Sequence, residues 1–484
     1  MNIQKIEHQI ENFRKENEVP GISISIVKNN KIVYQNGFGY RDVLNKLPVT
    51  PKTIWPIASI TKSFTSISAL QLAQQNKLDL FKPIVEYIPY FSVFDKDASK
   101  IINTDLFLKH ASGLGRTGHQ DKYREENYNP LIIRSQSDRE HNIFPTRKAL
   151  VENLYSATQQ SAPGQFFSYC NEGYATVGHL IEILSETDLE DYFKKNIFDN
   201  LDMNNTHTDF DSWREANDRT YLYSNQNNSP FYTGIDHNQF SVLELSKDYK
   251  TFLSAGGIST TANDLSLYQI QTMNLIDSKL NLNSEWLNKM QNINMPFGNS
   301  GWGYGYGYWI SYAGDLKIIK HSGGLPGVST FSIMIPSEKA GVVVLINKNE
   351  VKASNLAEII LNEMRGTVFR ENLKDPLNFQ IDKNFTDPDM YQEYLGKFEF
   401  RQGISEVVIQ NNKLCINTPS RLEATPEKLI LVPVEKDSFM NLYDGSSISF
   451  VRNKNGNIKQ NIIVWFIISS HVFTSYYSRC SVNQ

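Results

Sequence analysis

Ile3, Ile6, Ile10 and Phe13 recur at helical spacing among charged neighbours, so the pattern predicts an amphipathic first helix. The period then changes. Gly21-Ile22-Ser23-Ile24-Ser25-Ile26-Val27 alternates apolar and polar, and Lys31 to Tyr40 follows after Asn29-Asn30, a pair that tolerates the positive φ of a tight turn. A β-hairpin is expected. Thr61 to Gln75 mixes small and apolar residues as a buried helix does, and Leu78 to Tyr90 reads as a loop-rich link. Between about Ala98 and Met290 the segments read mostly as helices, separated by turns such as Ser112-Gly113-Leu114-Gly115 and Ala255-Gly256-Gly257. Strand character returns at Tyr304–Tyr312, Leu316–Lys320, Thr330–Ile335 and Gly341–Ile346, and Ser354–Phe369 reads as a closing helix.

A charged stretch punctuated by Pro376 and Pro388 leads to a different pattern from about Tyr391. Short strands alternate there with turns at Asn411-Asn412, Asp444-Gly445 and Asn455-Gly456, which suggests a small β-barrel or sandwich. The expected fold class is α+β. An antiparallel sheet, built from both ends of residues 1–370 and flanked by helices, carries an inserted helical subdomain; residues 371–390 form a linker and 391–484 a C-terminal β-barrel.

Composition narrows the function. A chain of 484 residues with 40% hydrophobic and 21% charged residues has an ordinary globular balance, which excludes a disordered tail protein. A formal charge of −4 without a basic stripe argues against a nucleic-acid partner. Cys170, Cys415 and Cys480 are too few and too dispersed for a disulfide framework or a zinc ligand set, so no metal is expected and reduced thiols are the simpler reading. The first residues are charged throughout and lack the apolar centre of a secretory signal, which points to a cytoplasmic location. The seven-residue apolar run Ile462–Ile468 is too short for a membrane span.

Ser59-Ile60-Thr61-Lys62 opens the helical run, and residues three apart share a helix face, so the Lys62 amine falls beside the Ser59 hydroxyl. A serine needs such a basic neighbour to become a nucleophile. Tyr169-Cys170-Asn171 sets a phenol and a carboxamide one residue apart, so both point the same way in an extended segment. The phenol suits proton relay and the carboxamide two-way hydrogen bonding to a substrate. Lys320-His321-Ser322-Gly323-Gly324 ends a strand, and its glycines would let a substrate carbonyl approach a backbone N–H. Each signal alone has a plain structural alternative: a helix cap, a buried aromatic turn, and a strand-end histidine.

In this order the three motifs resemble those of the serine β-lactamase-like hydrolases, a group that includes class C β-lactamases, penicillin-binding D-Ala-D-Ala carboxypeptidases, D-aminopeptidases and CubicO-like esterases. The resemblance covers about Val19 to Arg370. Leu108-Lys109-His110-Ala111-Ser112-Gly113-Leu114 and Ala255-Gly256-Gly257-Ile258-Ser259-Thr260-Thr261 look like two further family segments, with His110 expected to hold its turn rather than to catalyse. Tyr391 to Phe400 looks like the start of the family's lipocalin-like C-terminal domain, which caps the site or builds oligomers, whereas the stretch after Gln460 departs from the family's ending.

The resemblance implies Ser59 as acylated nucleophile, Lys62 as its activator, Tyr169 as base or relay, and Asn171 as a substrate contact. His321 stands as a further catalytic residue where penicillin-binding members carry a lysine, and Gly323 and Gly324 bind substrate by shaping the adjacent edge and oxyanion hole. A histidine, mostly neutral at pH 7, turns the expectation from carboxylate-bearing penicillins toward ester, amide or D-residue peptide substrates. No cofactor is implied, and a homo-oligomer is compatible with the group. Two other readings stay open: a β-lactamase or D-Ala-D-Ala carboxypeptidase, and a catalytically silent binding or scaffold protein.

Overall fold

The computed structural model describes residues 1–114, 144–225, 232–245, 251–296, 302–366 and 388–479, with short breaks inside the second and last of these spans. Helix α1 (Ile3–Glu16) starts where the Asn2 side chain accepts from the Lys5 N–H, and it buries Ile6, Ile10 and Phe13. Strands β1 (Gly21–Lys28) and β2 (Lys31–Asp42) pair antiparallel across Asn29 and Asn30, whose φ angles of 54° and 56° are those of the expected two-residue turn. Seven more strands complete the sheet: β3 (Leu47–Pro48), β4 (Met295–Pro296), β5 (Gly303–Tyr304), β6 (Trp309–Ala313), β7 (Leu316–Leu325), β8 (Val328–Ile335) and β9 (Ala340–Ile346). Their order is β3-β2-β1-β9-β8-β7-β6-β5-β4, with every neighbouring pair antiparallel.

Both faces of this sheet are covered. Ile22, Ile24 and Ile26 of β1 join Ile6, Ile10 and Phe13 of α1 and Leu356 and Ile360 of the closing helix (Ala353–Arg365) in one core. Each such side chain stabilises the fold by about 1.5–3 kcal/mol. The alternate residues of β1 face the other way, where Ser266 of the helix Ala262–Met273 donates to Ser25 at 2.7 Å.

That second face carries the larger core, centred on α2 (Lys62–Gln74), with Phe64, Ile67 and Leu70 against Tyr174, Val177 and Leu180 of α3 (Asn171–Ser185). The serines and threonines of α2 survive burial because Ser63, Ser66 and Ser68 bond back to carbonyls of their own preceding turn and Thr65 bonds to the Ser254 carbonyl. Gly307 (φ 76°) lies on this helix so closely that a Cβ there would sit 2.7 Å from the Ser63 Cα. Beyond α3, Arg147 is buried between Glu182 and Glu190, and Glu182 also accepts from His179, whose other nitrogen meets the Tyr90 hydroxyl.

Four elements differ from expectation. The largely helical stretch also holds a three-stranded sheet (Leu222–Ser224, Tyr232–His237, Phe240–Leu243) and a short pairing of Trp55–Pro56 with Ser259–Thr260. The strand expected over Tyr304–Tyr312 is two strands, broken where Gly307 turns left-handed. Strand β7 runs on to Leu325, so His321, Gly323 and Gly324 are strand residues and not a terminal turn. The closing helix stops at Gly366 (φ 69°).

At the C-terminus eight strands, from Gly396–Phe400 to His471–Arg479, close into a barrel through pairing of Phe398 with Arg479. The segment Pro388–Tyr394 is a 3-10 helix whose Tyr394 ring packs on Phe439 and Phe450 of the barrel. The Asn455-Gly456 turn joins two paired strands, whereas Asn411-Asn412, Asp444-Gly445, Gly115 and Cys480 lie outside the described residues. Among the described residues no helix is long and apolar enough to cross a membrane.

Two expected outcomes follow from these contacts. Gly307→Ala must place a methyl group against the α2 backbone at a left-handed φ, and should lower stability by about 2–4 kcal/mol in urea unfolding. Burial raises the Glu182 carboxyl, but hydrogen bonds from His179 and Arg147 outweigh it and bring the group from 4.5 down to about 2. A proton bound more weakly in the folded state means stability present above the ordinary value and lost as pH falls through the folded one. The urea-midpoint gap between wild type and Glu182→Gln should therefore be widest above pH 4.5 and close toward about 2; a constant gap would remove Glu182 from the acid response.

Candidate functional site

Ser59 is delivered by a backbone that is pinned on both sides. The Ile57 N–H donates to the Ile258 carbonyl at 2.9 Å, the Ile57 carbonyl accepts from Thr330 Oγ1 at 3.1 Å, and the Ile258 N–H donates to Thr61 Oγ1 at 3.2 Å. Between these anchors Ala58 adopts φ 49°, a left-handed conformation that costs a non-glycine residue about 1–2 kcal/mol. The chain then enters a 3-10 turn, Ala58–Thr61, before α2 begins at Lys62, so Ser59 precedes the α-helix and does not sit within it. From Thr53 to Ala73 every residue is buried except Ser59. The local fold thus presents one hydroxyl to solvent from an otherwise dry segment.

Lys62 has no solvent exposure. Its Nζ lies 3.2 Å from Ser59 Oγ and 2.6 Å from the Ala255 carbonyl, with the Tyr169 and Tyr174 ring centroids at 4.8 and 5.6 Å. A carbonyl can only accept, so one N–H is committed to Ala255 and the ammonium is aimed by it. The rings supply π faces to the cation.

Tyr169 is 8% exposed and stands one residue before the helix cap Cys170, whose Sγ accepts from the Gly173 N–H. Asn171 is the first residue of α3, and its Oδ1 is buried without a hydrogen-bond partner among the described residues. Burial, with the adjoining Tyr169 phenol, pushes the Tyr174 hydroxyl far above the ordinary tyrosine range, and that hydroxyl donates to the Leu108 carbonyl at 2.7 Å.

His321 is 1% exposed. Its Nδ1 is 2.7 Å from the Ser322 carbonyl and must donate to it; its Nε2 is 3.0 Å from the Tyr304 hydroxyl. Burial, with Tyr174 and Tyr169 close by, pushes the Tyr304 hydroxyl far above the ordinary tyrosine range; with the proton on Nδ1, Nε2 of a neutral imidazole accepts from that hydroxyl. Both nitrogens of a neutral imidazole are used. Trp309 links this group to the rest, stacking on His321 at 6.0 Å and on Tyr169 at 6.4 Å.

The two glycines differ in their surroundings. A Cβ at Gly323 would fall 2.1 Å from the Ile57 carbonyl, so Gly323 gives room to the protein's own Ser59-bearing segment. Gly324, paired with Ser329, is exposed on the same strand.

The geometry thus joins Ser59 and Lys62 directly, Tyr169 through the Lys62 cation, and His321 through Trp309 and Tyr304. Asn171 joins by its place two residues after Tyr169. Sequence reasoning missed Tyr304 and Tyr174 as partners, and the Ala255 carbonyl. The repeated Tyr-Gly spacing at Tyr304-Gly305-Tyr306-Gly307-Tyr308 is the signal that could have drawn attention to Tyr304.

Comparison with known proteins places this arrangement. The Beta-lactamase family model matches residues 6–362. Protein flp of Staphylococcus aureus (strain COL) is 27% identical over 357 residues, 73% of this chain; the chain spans 65% of the length of that relative. Two solved structures share the fold. The octameric penicillin-binding protein homologue from Pyrococcus abyssi (24% identity, TM-score 0.61) covers 99% of this chain and 100% of its own. A D-stereospecific amidohydrolase from Streptomyces sp. (19% identity, TM-score 0.60) covers 76% of this chain and 100% of its own. The family match runs from α1 to the closing helix and includes every strand of the large sheet, and on that basis the chain belongs to the Beta-lactamase family.

Proposed function

We propose that the protein hydrolyses ester or amide bonds through an acyl-enzyme on Ser59, as an esterase or a peptidase directed at D-amino-acid residues. The observation that carries this reading is the 3.2 Å contact between the Oγ of Ser59, the one half-buried residue of an otherwise buried segment, and the buried Lys62 Nζ. Lys62 activates the hydroxyl, and Tyr169 takes its proton as Oγ attacks the carbonyl carbon. The backbone N–H groups of Ser59 and Gly324 hold the oxyanion, and Asn171, two residues after Tyr169, contacts the substrate carbonyl or amide. The proton passes to the leaving group as its bond to the carbonyl breaks; water then cleaves the Ser59 ester and restores the hydroxyl.

His321 stands at the edge of this scheme, its Nδ1 donating to the Ser322 carbonyl and its Nε2 beside the Tyr304 hydroxyl. A site without a lysine at that place supports uncharged acyl groups over penicillin-like carboxylates. The D-stereospecific amidohydrolase among the structural neighbours agrees with a D-residue substrate. On this reading residues 1–370 form the hydrolase unit, 371–390 the linker and 391–484 an accessory barrel. The octameric homologue supports self-association.

A fluorophosphonate probe should add one label at Ser59 and none to Ser59→Ala, with turnover of p-nitrophenyl esters or D-amino-acid anilides by the wild type alone. Labelling by fluorescent penicillin instead would favour the β-lactamase or carboxypeptidase reading, and labelling by neither reagent the binding protein. Lys62→Met keeps the volume and removes the charge. Its labelling rate should fall by about 100-fold or more while its urea midpoint holds or rises, since replacing a buried cation by an apolar isostere commonly stabilises.

A further inference from the structure

His110 takes no part in the scheme above, yet the segment carrying Tyr169 hangs from it. It is fully buried, at φ 55°, in a conformation few side chains adopt. Its carbonyl accepts from the Ser168 N–H at 2.6 Å and its Nδ1 accepts from the Cys170 N–H at 3.0 Å. The residues on either side of Tyr169 are therefore both bonded to this one residue. The His110 ring lies against the Tyr169 ring, with centroids 4.1 Å apart and planes at 32°, while Lys62 Nζ faces the same ring at 4.8 Å. Tyr174 and Tyr304 flank the imidazole at 5.0 and 4.9 Å.

We infer that His110 is the positioning residue of the Tyr169 phenol, a neutral imidazole whose unprotonated Nδ1 sets the backbone of Cys170 and whose ring backs the phenol against Lys62. The inference rests on the acyl-transfer reading of Ser59, Lys62 and Tyr169. A backbone amide needs an acceptor at one place, and Nδ1 supplies it only without a proton. With the Ser168 and Cys170 amides both fixed, Tyr169 has little freedom left, and the phenol keeps its place beside Lys62 through turnover. Misplacing a proton-transfer group by about 1 Å costs about 100-fold in rate.

Two polar variants separate positioning from space filling. The Oδ1 of an asparagine sits two bonds from Cβ, as Nδ1 does, and asparagine tolerates a left-handed backbone; the Oε1 of a glutamine sits one bond farther. With a p-nitrophenyl ester as substrate, His110→Asn should keep kcat within about threefold of wild type, and His110→Gln should lose about 100-fold in kcat with KM within about threefold. Fluorophosphonate labelling of Ser59 should slow in the same ratio, and thermal unfolding of the two variants checks that both fold. Equal kcat in the two variants, or a change in KM alone for His110→Gln, would overturn the inference while leaving the acyl-enzyme standing. A wild-type chain that takes no label on Ser59 would overturn both.

Discussion

Removing an ammonium group from water costs several kcal/mol unless lone pairs and π faces replace its hydration, and the fold around Lys62 is organised by that requirement. One replacement is local, the Ser59 hydroxyl, and the others come from remote parts of the chain: a carbonyl from Ala255 and rings from Tyr169 and Tyr174. The inserted segment therefore has to close on α2 before the cation is satisfied. Backbone meets backbone at two glycines to allow this closure, Gly307 on the Lys62-Ser63 peptide and Gly323 on the Ile57 carbonyl. A side chain at either would hold the layers apart.

Much of this was legible in residue patterns, and the limits have physical causes. The hairpin could be read because strict alternation in β1 met an Asn-Asn pair, and both asparagines take the left-handed φ that such a turn demands. The Ser59–Lys62 contact was legible because helical spacing fixes which side chains share a face. The three-stranded sheet around Leu222–Leu243 was not, since strands of three to six residues hardly establish a period. The continuation of β7 was hidden by its glycines, which resemble a turn in composition while serving here as the point of closest approach between layers. The Ala255 carbonyl was illegible on principle, because a backbone acceptor carries no residue signature.

His321 shows how much of a residue's character is set by what surrounds it. Its type and position point to the edge of the site, and it does lie there, on the strand that also bears Gly323 and Gly324. Only the surroundings reveal that its nitrogens are spent on Ser322 and on a tyrosine that burial keeps protonated. The chemical character of the site on this side is thereby that of a dipolar, aromatic surface, with Trp309 as the ring shared between His321 and Tyr169.

Ser59 is the one wet residue between Thr53 and Ala73, and this has a consequence for traffic. With its own segment sealed behind it, the hydroxyl is approached from the outer side alone. On an acyl-transfer course the departing alcohol or amine has to vacate that approach before any second nucleophile comes in, so the order of events is imposed by access. The fate of the acyl group is then decided by competition at the doorway. On that course water would deliver a free acid, while a resident amine or alcohol would carry the acyl group away.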